Sequence, residues 1–505
     1  MRIRRITAIV AAGALTIGGV LTATVASAGV AEQQSVNWHG CLTGPADELG
    51  AALDDAGAQC GEVTVPVDYS RPHGRTTTVA MARVKATDPA RRRGVLMLNP
   101  GGPGDSGMGM VLAGERMPEV AARYDLIGMD PRFVGRSSPI ECRWETNTFL
   151  RSAGPNRGTF NESVALAKEL AAGCAQGNLD LLPHASTRNT ARDMDLIRGV
   201  LGERKLSYLG YSYGTYLGAV YLQMFGSRAD RVVLDSAVDP DIFGPGLFSR
   251  NAAAIQAALE HWAAWAADRN DEYGLGATVG EVLATVDRIN SATARRPLKI
   301  GTYTVDSHVL PYLLFVHFYD DLVEDYADLA EQLRVFDAAA GGEPTTPTPT
   351  PSLEAFLSGL FTGVGYAADR AGTAVLCADR VASRDPGTYF RDIQAHRADE
   401  PLFGPLTRNI TPCAFWPVRP AEATTTIRNN ASALIVGADG DAATPYPGQQ
   451  AMHQALAGSR MVTLRGRFAH GQYLAAENEC VDGTVNRYLV DGVLPIRDTD
   501  CVAGA

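Results

Sequence analysis

Gly210-Tyr211-Ser212-Tyr213-Gly214 comes directly after a short apolar run, Leu206–Leu209, and opens a stretch with a helical pattern, Tyr213–Phe225. A strand that turns sharply into a helix needs glycine on both sides of the turn residue, because a side chain there would collide with the crowded backbone. Such a turn exposes one hydroxyl at the end of the strand. The pentapeptide makes Ser212 a candidate nucleophile, and the rest of the chain has to support it.

Short apolar runs without alternation recur along the chain, separated mostly by stretches of helical length. Strands buried on both faces have this pattern, so the sequence predicts an α/β fold with a mostly parallel, doubly wound sheet. The runs are Gly94–Leu98, Leu126–Met129, Leu206–Leu209, Arg231–Leu234, Ala433–Val436 and Met461–Leu464. Before them, Glu62–Asp68 and Thr76–Val84 predict an antiparallel hairpin. A last helix is predicted near Cys480–Val490.

The regular alternation breaks between about residues 240 and 420, which are Ala-rich and mostly helical in pattern. The predicted helices are Asn251–Asp268, Val279–Ala292, Tyr312–Ala340 and Leu353–Asp369, with the proline-rich stretch Gly341–Pro351 as an extended loop. We interpret residues 241–420 as a helical cap inserted into the sheet domain. The first part of the core is then 29–240, and the second, 421–505, carries the acid and histidine loops.

Residues 1–28 have the composition of a secretory signal peptide: three arginines, an apolar run, and Ala26-Ser27-Ala28 as the cleavage site. We expect cleavage near Ala28 and a secreted protein without a membrane anchor. Loss of the three arginines, with no acidic residue among residues 1–28, takes the formal charge from −11 to −14. This acidity disfavours nucleic acid and anionic lipid as partners.

The eight cysteines fit an exported protein, since disulfides persist in oxidising compartments. Eight cysteines allow 105 connectivities, and the spacing suggests bridges between sequence neighbours. The hypothetical pairs are Cys41 with Cys60, Cys142 with Cys174, Cys377 with Cys413, and Cys480 with Cys501. The sequence contains no C-x-x-C and no H-E-x-x-H motif, so it predicts neither a zinc site nor a redox dithiol.

A serine hydroxyl needs a base to accept its proton and a third group to orient that base. In a doubly wound protein with such a serine, an acid and then a histidine follow it along the chain. His470 comes after the run Met461–Leu464 and so lies on a loop at a strand end. His453 also follows the candidate acids, but it lies in a helical pattern, and we choose His470 as the base.

The acid of the triad should lie on the loop after the run Ala433–Val436, which carries Asp439 and Asp441. Asp441 is followed at i+3 by Thr444, whose hydroxyl can brace a carboxylate, whereas Asp439-Gly440 has the composition of a turn. We choose Asp441, whose role is to hold the tautomer of the base and to stabilise the imidazolium. Ser212, Asp441 and His470 are the predicted triad.

Acyl transfer also requires two backbone N–H donors for the oxyanion. One is the N–H of Tyr213, and the other comes from the glycine-rich loop Asn99–Gly104, with Gly101 as first choice and Gly102 as second. That loop also matches the dinucleotide fingerprint G-x-G-x-x-G formally, with Asp125 and Asp130 at about the spacing of a ribose-binding acid. We disfavour a nucleotide site, because an exported protein meets little NAD, and we expect no cofactor.

Several segments, spread over nearly the whole mature chain, follow one pattern: Cys60-Gly61, Val65–Tyr69, Pro100–Gly104, Asp130–Ser137, Gly210–Thr215, Leu234–Pro240, Asp441–Pro445, His470-Gly471 and Cys480–Cys501. They resemble the secreted tripeptidyl aminopeptidases and prolyl-aminopeptidase-like serine peptidases of actinobacteria, which have the α/β-hydrolase fold. Three residues depart from that pattern: Pro100 replaces the usual histidine, Ala469 the usual glycine and Ser236 a common glycine. None is a reacting group, so they bear on the substrate and not on the mechanism.

The resemblance implies release of short peptides, tripeptides or prolyl-type fragments, from a free amino terminus through an acyl-enzyme on Ser212. An enzyme of this kind needs a negative group near the serine to hold the substrate ammonium. The candidate cap acids are Asp320, Asp321, Glu324, Asp325 and Asp379, and we choose Asp379 and Glu324. The expected partners are peptides with a free amino terminus.

Two other functions remain open, because this fold serves many chemistries. An exported carboxylesterase or lipase-like enzyme with the same triad would hydrolyse esters far faster than peptides. A non-catalytic binding protein would fold normally, and its Ser212 would not be labelled by a fluorophosphonate.

Overall fold

The computed structural model describes residues 34–342, 345–364 and 368–504; the predicted signal peptide, residues 1–28, lies outside the described residues. The strands are β1 Gln59–Pro66, β2 Thr76–Val84, β3 Gly94–Asn99, β4 Tyr124–Met129, β5 Leu206–Tyr211, β6 Ala229–Asp235, β7 Leu298–Ile300, β8 Tyr303–Val305, β9 Leu434–Ala438, β10 Arg460–Arg465 and β11 Thr499–Val502.

The central sheet has the strand order β1-β2-β4-β3-β5-β6-β9-β10-β11. The first two strands form the predicted hairpin, with β2 antiparallel to both β1 and β4. From β4 to β11 all neighbouring strands are parallel. Every residue of β3 and β9 is buried, as expected for strands covered on both faces. The predicted α/β fold is confirmed.

The helices are α1 Glu48–Asp55, α2 Pro118–Ala121, α3 Arg157–Ala175, α4 Thr187–Val200, α5 Tyr213–Phe225, α6 Ala252–Ala267, α7 Asn270–Tyr273, α8 Val279–Arg295, α9 Leu310–His317, α10 Val323–Gly341, α11 Pro351–Thr362, α12 Ala368–Asp379, α13 Pro386–His396, α14 Gly404–Thr407, α15 Tyr446–Ala455 and α16 Glu479–Asp491. The first ten residues of α5 are all buried. The amino-terminal part of this helix, which follows β5 directly, therefore lies in the interior of the protein.

The interval between β6 and β9 contains α6–α14 and the antiparallel hairpin β7–β8, and we call these elements the cap. They lie within residues 241–420, where the sequence predicts an inserted helical cap. The cap has its own apolar cluster, in which Trp262, Leu329 and Phe336 are fully buried. Ala442 and Ala443 of the loop after β9 belong to the same cluster, so the acid loop is packed against the cap.

The structure corrects two predicted helices in the cap. The helix predicted over Tyr312–Ala340 is divided into α9 and α10, because residues 318–322 leave the helix and contact the loop that carries His470. The helix predicted over Leu353–Asp369 ends at Thr362, since Gly363 adopts a left-handed conformation with φ of 69° and caps α11. Asp369 then lies in the next helix, α12.

The eight cysteines form four disulfides in the pairs suggested by their spacing, Cys41–Cys60, Cys142–Cys174, Cys377–Cys413 and Cys480–Cys501. The last bridge joins α16 to β11, a short strand that the sequence pattern did not predict. Across the three described ranges, no helix is long and apolar enough to cross a lipid bilayer.

Candidate active site

Ser212 lies at the turn between β5 and α5, with φ of 54° and ψ of −124°. Its backbone N–H donates to the carbonyl of Asp235 at 2.9 Å. The two flanking glycines are required by space: a Cβ at Gly210 would lie 2.6 Å from the carbonyl oxygen of Gly214, and one at Gly214 would lie 2.7 Å from Oδ1 of Asn99. The sequence thus produces the strained turn that the pentapeptide predicts.

His470 and Asp441 are in direct contact. The ring Nδ1 of His470 lies 2.9 Å from Oδ2 and 3.2 Å from Oδ1 of the Asp441 carboxylate, which is fully buried. The carboxylate also accepts the backbone N–H of Ala443 and Thr444 and, at 2.7 Å, the hydroxyl of Thr444. We assign the Nδ1 proton from this contact, which leaves Nε2 as the basic atom.

The pKa of His470 is set by two opposing effects. Burial disfavours the charged imidazolium, but the Asp441 carboxylate, and to a smaller extent that of Asp235, outweighs burial and raises the pKa of His470. An acid that stabilises the imidazolium in this way matches the role of the third member of a triad.

Asp235 and Ser236, at the end of β6, support the loop after His470. The hydroxyl of Ser236 accepts the N–H of Gly471 at 2.8 Å. The carboxylate of Asp235 accepts the N–H of Gln472 at 3.0 Å and that of Tyr473 at 2.7 Å. Burial raises the pKa of Asp235 to about 7, although these donors oppose the shift. Sequence reasoning missed this function, and the only signal was the position of Asp235 at the end of the strand next to β5.

The cap holds the same loop from the other side. The backbone N–H of His470 donates to the carbonyl of Tyr319 at 2.8 Å. Arg467 forms ion pairs with Asp320 at 2.9 Å and Asp321 at 2.7 Å. The two aspartates, considered above as substrate-binding acids, therefore pair with a cation of the protein.

The two glycines considered for the second oxyanion donor differ in their contacts. The N–H of Gly101, the first choice, donates to Oδ1 of Asn99 at 3.1 Å. Gly102, the second choice, lines the cavity in front of Ser212. The N–H of Tyr213 is at the first position of α5, where no acceptor exists within the helix. These contacts favour Tyr213 and Gly102 as the candidate oxyanion donors.

Ser212 and His470 open onto one cavity of about 470 Å³ between the core and the cap. This volume is within the range of small-molecule sites. Most of the cavity wall is apolar, and it comes from the cap and from the segment before α3. The acidic residues of the wall are Asp105 and Asp369. The apolar residues include Phe149, Leu150, Leu247, Phe248, Tyr312, Phe315, Val316, Tyr319 and Leu376.

The two acids chosen for the substrate ammonium lie elsewhere. Asp379, the last residue of α12, is buried against the start of α4, and its carboxylate accepts the N–H of Thr187 at 2.8 Å and the hydroxyl of the same residue. Burial raises the pKa of Asp379 to about 7, against the effect of these bonds. Glu324 is exposed in the first turn of α10. Neither residue lines the cavity, because the break before α10 and the burial of the α12 end direct both away from it.

The other sequence candidates are also accounted for. His453 contacts Ser459 at 2.7 Å and Asp498 at 3.2 Å on α15 and does not line the cavity. Asp439 accepts the N–H of Gly466 at 2.8 Å in a turn. Among the residues that the structure describes, no group of three or more His, Cys, Asp or Glu side chains could hold a metal ion.

Comparison with known proteins gives two family matches. Residues 94–311 match the family described as alpha/beta hydrolase fold, and residues 400–501 match the one described as TAP-like protein. A tripeptidyl aminopeptidase of Streptomyces lividans is 34% identical over 468 residues, which covers 88% of this chain and 84% of the relative. The serine protease Hip1 of Mycobacterium tuberculosis is 29% identical, covering 99% of this chain and 98% of the relative. Carboxylesterase B of the same organism is 29% identical, covering 94% and 90%.

Proposed function

From the premise that this chain belongs to the TAP-like family of serine peptidases with the α/β-hydrolase fold, we propose that it is a secreted exopeptidase that removes tripeptides from free amino termini. The observation that carries the proposal is the contact between His470 and Asp441, with His470 and Ser212 facing one cavity. The tripeptide preference is taken from the Streptomyces relative, whose name states it.

In the proposed mechanism, Oγ of Ser212 attacks the scissile carbonyl carbon while Nε2 of His470 accepts the hydroxyl proton. The negative charge on the carbonyl oxygen is held by the N–H groups of Tyr213 and Gly102. The C–N bond then breaks, and the leaving amine takes the proton from His470. Asp441 stabilises the imidazolium that exists between these two proton transfers.

The second half of the proposed reaction repeats the first with water. His470 accepts a proton from water, whose oxygen attacks the ester carbonyl formed on Ser212. The ester bond breaks, Ser212 regains its proton from His470, and the peptide acid leaves.

Export of the protein is part of the proposal. Four disulfides in the pairs described above are expected in an oxidising compartment and rare in a reducing one. The signal-peptide composition of residues 1–28 supports the same location.

The function is tested with an unblocked heptapeptide and its amino-terminally acetylated twin, with the products identified by mass. The proposal predicts that the unblocked peptide loses its first three residues and that the acetylated peptide stays intact. The Ser212→Ala variant is the matched control and should cleave neither. Cleavage of both peptides at the same rate, or stepwise loss of residues from the carboxyl terminus, would contradict the proposal.

A carboxylesterase is the second candidate, because one relative carries that name and the cavity wall is mostly apolar. Comparison of kcat/KM for a tripeptide p-nitroanilide with that for an ester of the same tripeptide acid separates the two functions. A serine nucleophile that cleaves peptides can also attack activated esters, so ester turnover alone does not distinguish the two functions. Ester turnover combined with undetectable cleavage of all unblocked peptides would favour the esterase.

A further inference from the structure

We propose that a second, smaller cavity in the cap binds a free oxoanion of the size of phosphate or sulfate. It lies at the carboxyl end of α12, has a volume of about 240 Å³, and shares no wall residue with the cavity of Ser212 and His470. We call it the arginine cavity. Its wall contains Arg380, Arg384, Arg419, Trp416 and the bridged pair Cys377 and Cys413, together with smaller apolar side chains.

The wall of the arginine cavity is positively charged. Arg380 and Arg384 follow the end of α12, and Arg419 lies in the segment before β9. Among the described residues, the wall includes no acidic side chain, and none of the three arginines forms an ion pair. Like charges on one cavity wall repel each other, so an anion bound between them lowers the electrostatic energy.

The acids nearest to these arginines in sequence interact with other groups. Asp379 accepts two hydrogen bonds from Thr187. Burial raises the pKa of Asp379, and the charge of the arginine that follows it opposes this shift less than the two hydrogen bonds do. Asp385 pairs with Arg391 at 3.2 Å. Glu422 pairs with two arginines of α4. The protein thus supplies no counter-ion inside the arginine cavity.

Two buried donors provide evidence that is independent of the charge. Trp416 is only 3% exposed and lines the cavity, and its indole Nε1 is buried without an acceptor. The Nε atom of Arg380 is also buried without an acceptor. Buried N–H groups are nearly always paired in folded proteins. An oxygen atom of an anion in the cavity is an acceptor that the protein itself does not supply to them.

The two segments that carry these donors are held together. The disulfide Cys377–Cys413 joins α12 to the segment Pro412–Phe415, directly before Trp416. The side chain of Arg384 donates to the carbonyl of Trp416 at 3.1 Å. A site whose walls are already fixed loses less conformational freedom when a ligand binds. The arginine cavity is therefore formed before its ligand arrives.

The class of ligand follows from charge, size and geometry. Guanidinium groups bind the oxygen atoms of phosphate and similar anions through paired N–H donors. A volume of about 240 Å³ is below the range of about 300–1,000 Å³ for drug-sized ligands. The formal charge of the whole chain is −11, which repels an extended polyanion. A small oxoanion meets only the local positive charge, because salt screens charges beyond about 8 Å.

The test observes Trp416 directly. The whole protein, with ¹⁵N in its tryptophan indoles, is titrated with sodium sulfate or sodium phosphate while sodium chloride keeps the ionic strength constant. The Nε1–H resonance of Trp416, assigned with Trp416→Phe, should shift and reach saturation, and the other tryptophans should not respond. Arg419→Gln should weaken binding about 10-fold, because a charged donor is lost. Arg334→Gln, at an exposed position on α10, is the matched control and should keep the parent affinity.

The wild-type titration makes the test independent of how the variants fold. Absence of a saturable shift of Trp416, or the same shift with sodium chloride alone, would overturn the inference. So would parent affinity in both Arg380→Gln and Arg419→Gln. Inorganic phosphate should bind at least as tightly as O-phosphoserine, whereas tighter binding of O-phosphoserine would assign the cavity to a phosphorylated molecule in place of a free anion. Peptide cleavage is not measured, so this test is separate from that of the proposed function.

Discussion

The carbonyl oxygen of Asp235 accepts the backbone N–H of Ser212 at 2.9 Å. The side chain of the same aspartate accepts the N–H groups of Gln472 and Tyr473, just after His470. One buried residue at the end of β6 therefore fixes the nucleophile through its main chain and the base through its side chain. This follows from sheet order, since β6 lies between β5, which leads to Ser212, and β9, which leads to Asp441.

Replacement of Asp235 by Asn should lower kcat for an activated ester about 10- to 100-fold, since small misplacement of a catalytic group has effects of that size. The KM should change little, because Asp235 does not line the cavity. The pH at half-maximal kcat/KM should also fall, since the Asp235 charge helps to raise the pKa of His470. Asp230→Asn, an exposed position on the same strand, is the control. If Asp235→Asn keeps the kcat and the pH midpoint of the parent, the loop after His470 does not depend on the Asp235 carboxylate.

The pH dependence of kcat/KM should report the raised pKa of His470. The base must be neutral to accept the proton from Ser212, so activity rises with pH through this pKa. The midpoint should lie above the ordinary histidine value of about 6.5, because Asp441 stabilises the imidazolium. Asp235, with a pKa of about 7, titrates in the same range, which is why Asp235→Asn is measured in parallel.

The variant Asp441→Asn should move that midpoint to lower pH and reduce kcat about 10⁴-fold, because the base loses both its counter-charge and its favoured tautomer. The measurement is a pH series with a neutral ester. If the midpoint of the pH profile of kcat/KM does not move when Asp441 is replaced, a group other than His470 controls the loss of activity at low pH.

Asn99 should control the conformation of the glycine-rich loop Asn99–Gly104, since its side-chain oxygen accepts the N–H of Gly101. We expect Asn99→Ala to reduce kcat about 10-fold, less than the 10²- to 10³-fold effect of removing an oxyanion donor outright, and to slow labelling of Ser212 by a fluorophosphonate. Asn161→Ala, an exposed site on α3, serves as control. Unchanged kcat would indicate that the loop keeps its shape without this bond.

The Cys377–Cys413 bridge joins α12, the helix that carries Asp369, to the segment Pro412–Phe415. Removal of both sulfurs in Cys377→Ser/Cys413→Ser should lower the free energy of unfolding by about 2–4 kcal/mol. The measurement is Tm by calorimetry. Addition of reductant to the parent, which opens the bridges that it can reach, should lower Tm further. A Tm of the double variant equal to that of the parent would contradict a stabilising role of this bridge.

Most of the core could be predicted from the sequence, because strands buried on both faces leave uninterrupted apolar runs. Leu206–Leu209 and Ala433–Val436 became the strands β5 and β9, longer or shifted by one or two residues at their ends. The strand β11 was not predicted, since Thr499–Val502 is short, polar and half-exposed. It is recognised only through its pairing with β10 and its bridge from Cys501.

The triad residues could be chosen from chain order and loop position, whereas their surroundings could not. The place of Asp369 on the cavity wall depends on where α12 rests, and that depends on contacts such as the one between Gly372 and Pro103, far apart in sequence. The break after His317 has a similar origin: residues 318–322 give up helical hydrogen bonds to bind the His470 loop. Local pattern carries no information on either contact. Gly363, by contrast, was a helix-ending signal that the sequence did contain.

Ser212 is proposed to form the covalent intermediate, and the mass of a labelled peptide shows whether this residue reacts. The protein is inactivated with a fluorophosphonate, digested and mapped by mass spectrometry, with His470→Ala and His453→Ala treated in parallel. We expect one adduct, on Ser212, that accumulates as activity is lost. Labelling should be strongly slowed in His470→Ala and normal in His453→Ala. An adduct on another residue, or loss of activity without modification of Ser212, would show that Ser212 is not the nucleophile.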